Sequence, residues 1–236
     1  MNRIVRMVLL NIFRVPGLYA KLCHYAKNTD KYPEQEKWDH IHKILQYAVR
    51  AGNVDLQVYG KENLPAEDGY VMYGNHQGMF DVVALAADSE RPLAAVLKKE
   101  LADVPLLKQI RECTKSFPMD REDMRQSLEV IRAVTEEVKK GRGYLIFPEG
   151  TRSKNGNVMG EFHGGSFRAA MKAKCPIIPI AFIDSFKVLD QKGSKSVTVQ
   201  IHYLEPIPYE AYADMKTVEV AALVKERIQE TIDANT

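Results

Sequence analysis

The sequence predicts an α/β fold, with a mixed and largely parallel sheet flanked by helices. Two observations carry this. Short apolar runs alternate with segments whose apolar residues recur every three or four positions, the order that builds parallel strands with helical crossovers. Hydrophobic residues make up 45% and charged residues 27% of the 236 positions, enough to fill a core and to exclude global disorder. No internal repeat, low-complexity tract or linker divides the chain.

The first stretch, residues 1–13, is apolar but interrupted by Arg3 and Arg6 and closed by Arg14. A spanning helix needs about 20 apolar residues, so this one is too short. Arg14 also ends the apolar region too early for a signal peptide. On a helical wheel the arginines fall to one side, with Ile4, Val5, Val8, Leu9 and Ile12 on the other. That is the pattern of a helix lying in a membrane interface, and equally of one packed on its own domain or on a second copy. Pro16-Gly17 is expected to break the helix.

A second helix is expected from Pro33 to Ala51, with Trp38, Ile41, Leu45 and Ala48 on one face, ended by Gly52-Asn53. Val54, Leu56 and Val58 alternate as a strand does, and Gly60 to Pro65 makes a turn. Tyr70 to Tyr73 reads as a buried strand, Asp81 to Ala87 as the start of a helix, and Arg91 to Leu97 as a further strand. Met124 to Lys140 is a helix with Leu128, Ile131, Val134 and Val138 facing inward. Strand Tyr144–Phe147 and helix Ser166–Lys174 follow. Strands Ile177–Phe182 and Val197–Ile201 and a terminal helix Thr217–Ile232 complete the reading. The organisation expected is a helical extension over residues 1–52 and an α/β domain of enzyme size over residues 53–236.

Composition removes several functions. With 33 Lys+Arg against 31 Asp+Glu the net charge is +2, too balanced for a nucleic-acid binder. Cys23, Cys113 and Cys175 lie far apart and odd in number, which suits a reducing compartment and neither a disulfide framework nor a zinc site. There is no Gly-x-Ser-x-Gly elbow, P-loop or Gly-x-Gly-x-x-Gly fingerprint, so His163-Gly164-Gly165 has no nucleophile to serve. His40 and His42 are two apart and do not share a helix face.

Three segments could carry chemistry. In Asn75-His76-Gln77-Gly78-Met79-Phe80-Asp81, His76 follows a strand and Asp81 opens a helix. Five positions apart on a continuous helix they would diverge, so they meet only if His76 lies in a turn. Asp81 could then fix the imidazole tautomer and leave the other nitrogen to take a proton; the plain reading is a surface turn with a capping Asp. Phe147-Pro148-Glu149-Gly150-Thr151-Arg152-Ser153 follows another strand, with Gly150 permitting close approach and Arg152 offering a fork for phosphate. In Lys115-Ser116-Phe117-Pro118-Met119-Asp120-Arg121, Arg121 could clamp an anion or belong to a solvated helix start. Lys98 and Lys99 are similarly open.

Together these segments resemble the 1-acylglycerol-3-phosphate acyltransferase family. Its Asn-His-x-x-x-x-Asp motif is met by Asn75, His76 and Asp81, and its Phe-Pro-Glu-Gly-Thr-Arg-Ser motif at all seven positions from Phe147. Phe117 to Arg121 fits a third motif, although Lys115 stands where the family has Gly. Ile177-Ile178-Pro179-Ile180 is similar to a fourth. The resemblance covers roughly residues 54 to 185. It implies transfer of a fatty acyl group from acyl-CoA or acyl-carrier protein to the sn-2 hydroxyl of lysophosphatidic acid, giving phosphatidic acid. It implies His76 as general base and Asp81 as its orienting carboxylate. Arg121, Arg152 and Lys98 are expected to hold the acceptor phosphate, and Glu149, Gly150 and Thr151 to position substrate or brace the loop. No metal, cofactor or nucleic acid is expected. Membrane lipid is the partner, and the cytoplasmic membrane face, without crossing, the location. Glycerol-3-phosphate or another lysophospholipid is the alternative acceptor. A metal-dependent phosphohydrolase using His76, Asp81 and Glu149 as ligands, or a silent lipid-binding protein, are the readings from other classes.

Overall fold

The computed structural model describes residues 2–67 and 69–236; Met1, where the expected extension begins, lies outside them. The chain opens with three helices, α1 (Arg3–Leu10), α2 (Val15–Lys27) and α3 (Glu34–Ala51). Strand β1 (Val54–Tyr59), strand β2 (Val71–Gly74), helix α4 (Phe80–Asp88), strand β3 (Leu93–Lys98) and helix α5 (Leu107–Thr114) follow. Next come β4 (Phe117–Met119), α6 (Met124–Lys139), β5 (Gly143–Ile146), α7 (Arg168–Ala173) and β6 (Ile177–Ile183). The chain finishes with α8 (Phe186–Leu189), β7 (Val197–Tyr203) and α9 (Thr217–Asn235).

The strands form one seven-stranded sheet in the order β1-β7-β6-β2-β5-β3-β4. Every neighbouring pair is parallel except β6 with β7, so the sheet is mixed and mostly parallel as expected. Side chains on the central strands alternate between two apolar layers. Met72, Leu145, Ile178, Ile180 and Phe182 pack with α3 and α4, while Val71, Tyr73, Tyr144, Ile146, Ala181 and Ile183 pack with α6, α7 and α9. Burial on both faces is why these strands read as continuous apolar runs.

The boundary expected at residues 52 and 53 separates two elements and not two bodies. Trp38, Ile41 and Leu45 of α3 are buried in the same cluster as the sheet, and Trp38 donates to the Ser89 carbonyl at 3.0 Å. Pro16-Gly17 does not break a helix. Pro16 stands in the first turn of α2, where its missing N–H has no partner to lose, and the interruption comes earlier, at Asn11. The arginine face of α1 also departs from expectation. Arg3 is buried, donating to the carbonyls of Lys187 at 2.9 Å, Val188 at 2.7 Å and Lys195 at 2.6 Å. Arg6 donates to the Ala51 carbonyl at 2.8 Å. Both arginines pin α1 to the body and leave its apolar side chains Ile4, Val8 and Leu9 outward, with Phe13 in the following turn 98% exposed. Arg14 and Lys21 remain exposed, over the rings of Tyr47 and Tyr25.

Strand β4 and helices α5 and α8 gave no readable signal. Strand β4 has three residues with a central proline, tolerated because it is an edge strand. Lys115, which caps α5, has φ 55° and ψ 36°, the left-handed conformation that glycine adopts freely. The turn shape therefore survives the lysine. A non-glycine residue there costs about 1–2 kcal/mol, partly offset by the greater freedom of unfolded glycine. Lys115→Gly should raise the urea midpoint by the equivalent of about 1 kcal/mol or less. A lowered midpoint would show that the turn bears no strain.

Candidate active site

Strand β2 ends at Gly74, and Asn75 fastens the following turn to β6. Its buried amide donates to the Phe182 carbonyl at 2.9 Å and its Oδ1 accepts from the Phe182 N–H at 2.8 Å, as a neighbouring strand would. The chain then turns so that His76 faces Asp81, in the first turn of α4. His76 Nδ1 donates to Asp81 Oδ2 at 2.7 Å. The pair meets through a turn, as the five-residue spacing demands. Asp81 has no exposed surface. Its Oδ2 also accepts the N–H groups of Gln77 at 2.8 Å and Gly78 at 3.1 Å, and its Oδ1 accepts from the Ser185 hydroxyl. His76 is 17% exposed and its Nε2 makes no hydrogen bond among the described residues.

The loop after β5 holds the histidine from the other side. Phe147 stacks on the imidazole with ring centres 4.0 Å apart. Glu149 is buried, and its carboxylate accepts the His76 N–H at 2.7 Å and the Gly160 N–H at 2.8 Å. Burial raises its pKa above the ordinary carboxyl value, while the two backbone donors and His76 pull it down. Glu149 thus links the His76 turn to the loop at Gly160 through its carboxylate. The Ser153 N–H closes the arrangement on the His76 carbonyl at 2.9 Å.

Strands β2, β5, β3 and β4 run parallel, so the segments after them gather at one sheet edge. Gly150 has φ 69°, and a Cβ there would meet the side chains of His163 and Arg121 within 4 Å. Arg121 is exposed and makes no hydrogen bond or ion pair among the described residues. Arg152 is tied to Asp190 at 2.8 Å. Lys98 pairs with Glu100 at 2.8 Å on the exposed surface, and Lys99 with Asp120 at 3.0 Å. Thr151 is exposed beside Arg152. Of the expected phosphate ligands, Arg121 stands ready beside Gly150, whereas Arg152 and Lys98 already hold carboxylates.

Three site residues had no sequence signal. Ser185 reaches Asp81 from more than a hundred positions away. Asp190 accepts from Arg152 and, at 3.4 Å, from the Met79 N–H. It also passes so near Gly78 that a Cβ there would lie 2.5 Å from its Oδ2, which accounts for glycine at that position. Gln77, a variable position in the motif, bridges to Asn157 at 2.7 Å. The donor count bears on metal binding too. Asp81 and Glu149 spend their carboxylates on N–H and O–H groups of the protein, so they do not present the ligand set a phosphohydrolase would need.

Several known proteins resemble this chain. An acyltransferase family model matches residues 55–183. The 1-acyl-sn-glycerol-3-phosphate acyltransferase of Saccharomyces cerevisiae is 29% identical over 183 residues, covering 76% of this chain and 60% of that one. The chloroplastic enzyme BAT2 of Brassica napus is 30% identical over 174 residues, or 72% and 49%. The Salmonella typhimurium enzyme of the same name is 29% identical over 180 residues, or 75% and 73%. The chain thus spans half to three-fifths of the length of the first two of these curated relatives. The crystal structure of the 1-acyl-sn-glycerophosphate acyltransferase PlsC from Thermotoga maritima has the same fold, with a TM-score of 0.74 over 98% of this chain and 97% of that one, at 18% identity.

The bracing role of Glu149 can be tested directly. Glu149→Gln keeps the shape but replaces one acceptor oxygen by a donor, leaving the N–H of His76 or Gly160 unanswered. The variant should lose about 1–3 kcal/mol in urea denaturation at neutral pH. Unchanged stability would mean that water serves those donors equally well.

Proposed function

The chain belongs to the acyltransferase family, and from that premise we propose that it moves a fatty acyl group from a thioester to the free hydroxyl of 1-acylglycerol-3-phosphate. The observation that carries this reading is an imidazole whose Nδ1 is held by a fully buried carboxylate while Nε2 stays unengaged at a sheet edge. A thioester is already activated, so no protein nucleophile is needed. The acceptor hydroxyl passes its proton to His76 Nε2 as its oxygen attacks the thioester carbon. Asp81 stabilises the imidazolium through Nδ1, with the buried Glu149 carboxylate as a second counter-charge nearby. When the tetrahedral adduct collapses the C–S bond breaks, and the proton on Nε2 passes to the departing thiolate. General-base help of this kind contributes about 10²–10⁴-fold. Arg121, exposed beside Gly150, is the cation free to hold the acceptor phosphate, and Arg152 joins it by leaving Asp190. The thioester is acyl-CoA or acyl-carrier protein. The relatives' names support lysophosphatidic acid as acceptor over glycerol-3-phosphate or another lysophospholipid.

His76→Ala should abolish turnover with the fold intact by circular dichroism; more than a few per cent of wild-type kcat would sink the base assignment. In the same assay Arg121→Ala should lose about tenfold to a hundredfold in kcat/KM for the acceptor, the value of one charged hydrogen bond. A raised thioester KM with an unchanged acceptor KM would place Arg121 on the donor instead.

The reading extends to a membrane surface, because acceptor and product are both bilayer lipids. Drawing an acyl chain into water costs about 0.8 kcal/mol per CH₂, which favours catalysis at the bilayer. Among the described residues no helix is long and apolar enough to cross a membrane. Helix α1 and the turn after it instead offer Ile4, Val8, Leu9, Ile12 and Phe13 exposed, with Arg14 and Lys21 exposed nearby for anionic headgroups. The cytoplasmic face is the side on which the thioester donors would be met. Ile4→Glu with Leu9→Glu should abolish co-sedimentation with phospholipid vesicles and spare activity on a soluble short-chain acceptor. Retained sedimentation would assign docking to another surface, and lost short-chain activity would make α1 part of the catalytic fold.

A further inference from the structure

Asp81 is a charge with no exposed surface, so its basicity depends wholly on the donors around it. The three donors to Oδ2 come from the local turn: His76 Nδ1 and the N–H groups of Gln77 and Gly78. Oδ1 has one donor among the described residues, the hydroxyl of Ser185. A carboxylate only accepts, so Ser185 must donate. Gln77 Oε1 lies 3.4 Å from the same hydroxyl but is the weaker, neutral acceptor.

Ser185 is held for this task. It is fully buried, and its N–H points at Gln77 Oε1 at 3.3 Å. Gln77 is fixed in turn by Asn157, whose Oδ1 also accepts the Asp184 N–H at 3.0 Å. Asp184 takes a left-handed φ of 64°, which swings the chain from the end of β6 towards the His76 turn. A strained residue and a buried amide thus set the position of the one hydroxyl that reaches Oδ1 of Asp81.

We propose that Ser185 is a positioning residue for acyl transfer, setting the orientation and basicity of Asp81 and through it the proton affinity of His76; this rests on His76 being the base. Without the hydroxyl, Oδ1 is left bare in the core and Asp81 keeps only the donors on Oδ2, of which His76 alone can carry positive charge, with the Glu149 carboxylate still set against the His76 backbone. The imidazolium is then favoured, and His76 holds its proton to higher pH. The alternative role for a buried serine is packing, which would leave His76 unchanged.

The two roles separate in the full-length Ser185→Ala protein. The imidazole titration of His76 is followed by NMR, its signal assigned by its absence in His76→Ala, alongside the pH profile of kcat/KM on a soluble acceptor. The expected result is an upward move of the His76 titration and of the acidic limb together. With it come a fall of about tenfold in kcat, little change in either KM, and a melting temperature lowered by a few degrees, because Oδ1 has lost its donor. If the alanine variant does not fold, Ser185→Cys keeps a side chain there while exchanging a strong donor for a weak one, and is read the same way. An unmoved titration in the folded variant overturns the proposal whatever happens to turnover. A moved titration with unchanged kcat upholds the coupling to Asp81 and overturns the assignment of His76 as base.

Discussion

A carboxylate removed from water must have its charge answered inside the protein, and Asp81 is the group around which this site is organised. It sits at the start of α4, where the helix end already favours negative charge. His76, Gln77 and Gly78 curl back over Oδ2, and Ser185 meets Oδ1. The tight turn that brings two backbone donors to one oxygen also puts the His76 ring against that oxygen. Gly78 is part of the same bargain, because Asp190 and Phe186 leave no room for a side chain there. The spacing between histidine and aspartate is the length of chain needed for this turn to close on its own helix.

The rest of the fold supports that turn from three neighbouring strands. β2 carries it, β6 is clamped to it by Asn75, and β5 delivers Phe147 and Glu149. Parallel pairing matters here, since it brings the carboxyl ends of β2, β5, β3 and β4 to one edge without long loops. Residues far apart in the chain, such as Arg121 and Gly150, become neighbours through strand order alone.

What the sequence made legible follows from the same physics. The buried strands and long helices announce themselves because their apolar patterns are dictated by burial on both faces of the sheet. The histidine turn was readable because its partners are local, five positions apart at most. Glu149 was visible as a motif residue, but its commitment to backbone N–H groups was not, since carboxylates for substrate and for scaffold look alike in sequence. Ser185 and Asp190 were invisible for a different reason: they arrive from the far end of β6, and no periodicity links them to His76. A helical wheel likewise separates the arginines of α1 from its apolar side without saying which side meets the protein. Arg3 and Arg6 found carbonyls of the protein itself, so the basic side faces inward and the apolar side is the one left open.

That inversion joins two parts of the molecule that the sequence kept separate. Arg3 grips the carbonyls of Lys187, Val188 and Lys195, at and just beyond α8. Ser185, immediately before α8, donates to Asp81, and Asp190, immediately after it, holds Arg152 and touches the Met79 N–H. One short segment therefore bears on α1, on the buried Asp81 carboxylate and on Arg152. A guanidinium held by three carbonyls is a rigid tie, because all of those bonds would have to break for α1 to lift away. The apolar face of α1 is consequently fixed in orientation relative to the His76 turn rather than hanging from a flexible arm. Under the proposed function that fixed relation has mechanical value, since the surface offered to lipid and the proposed base are tied into one body.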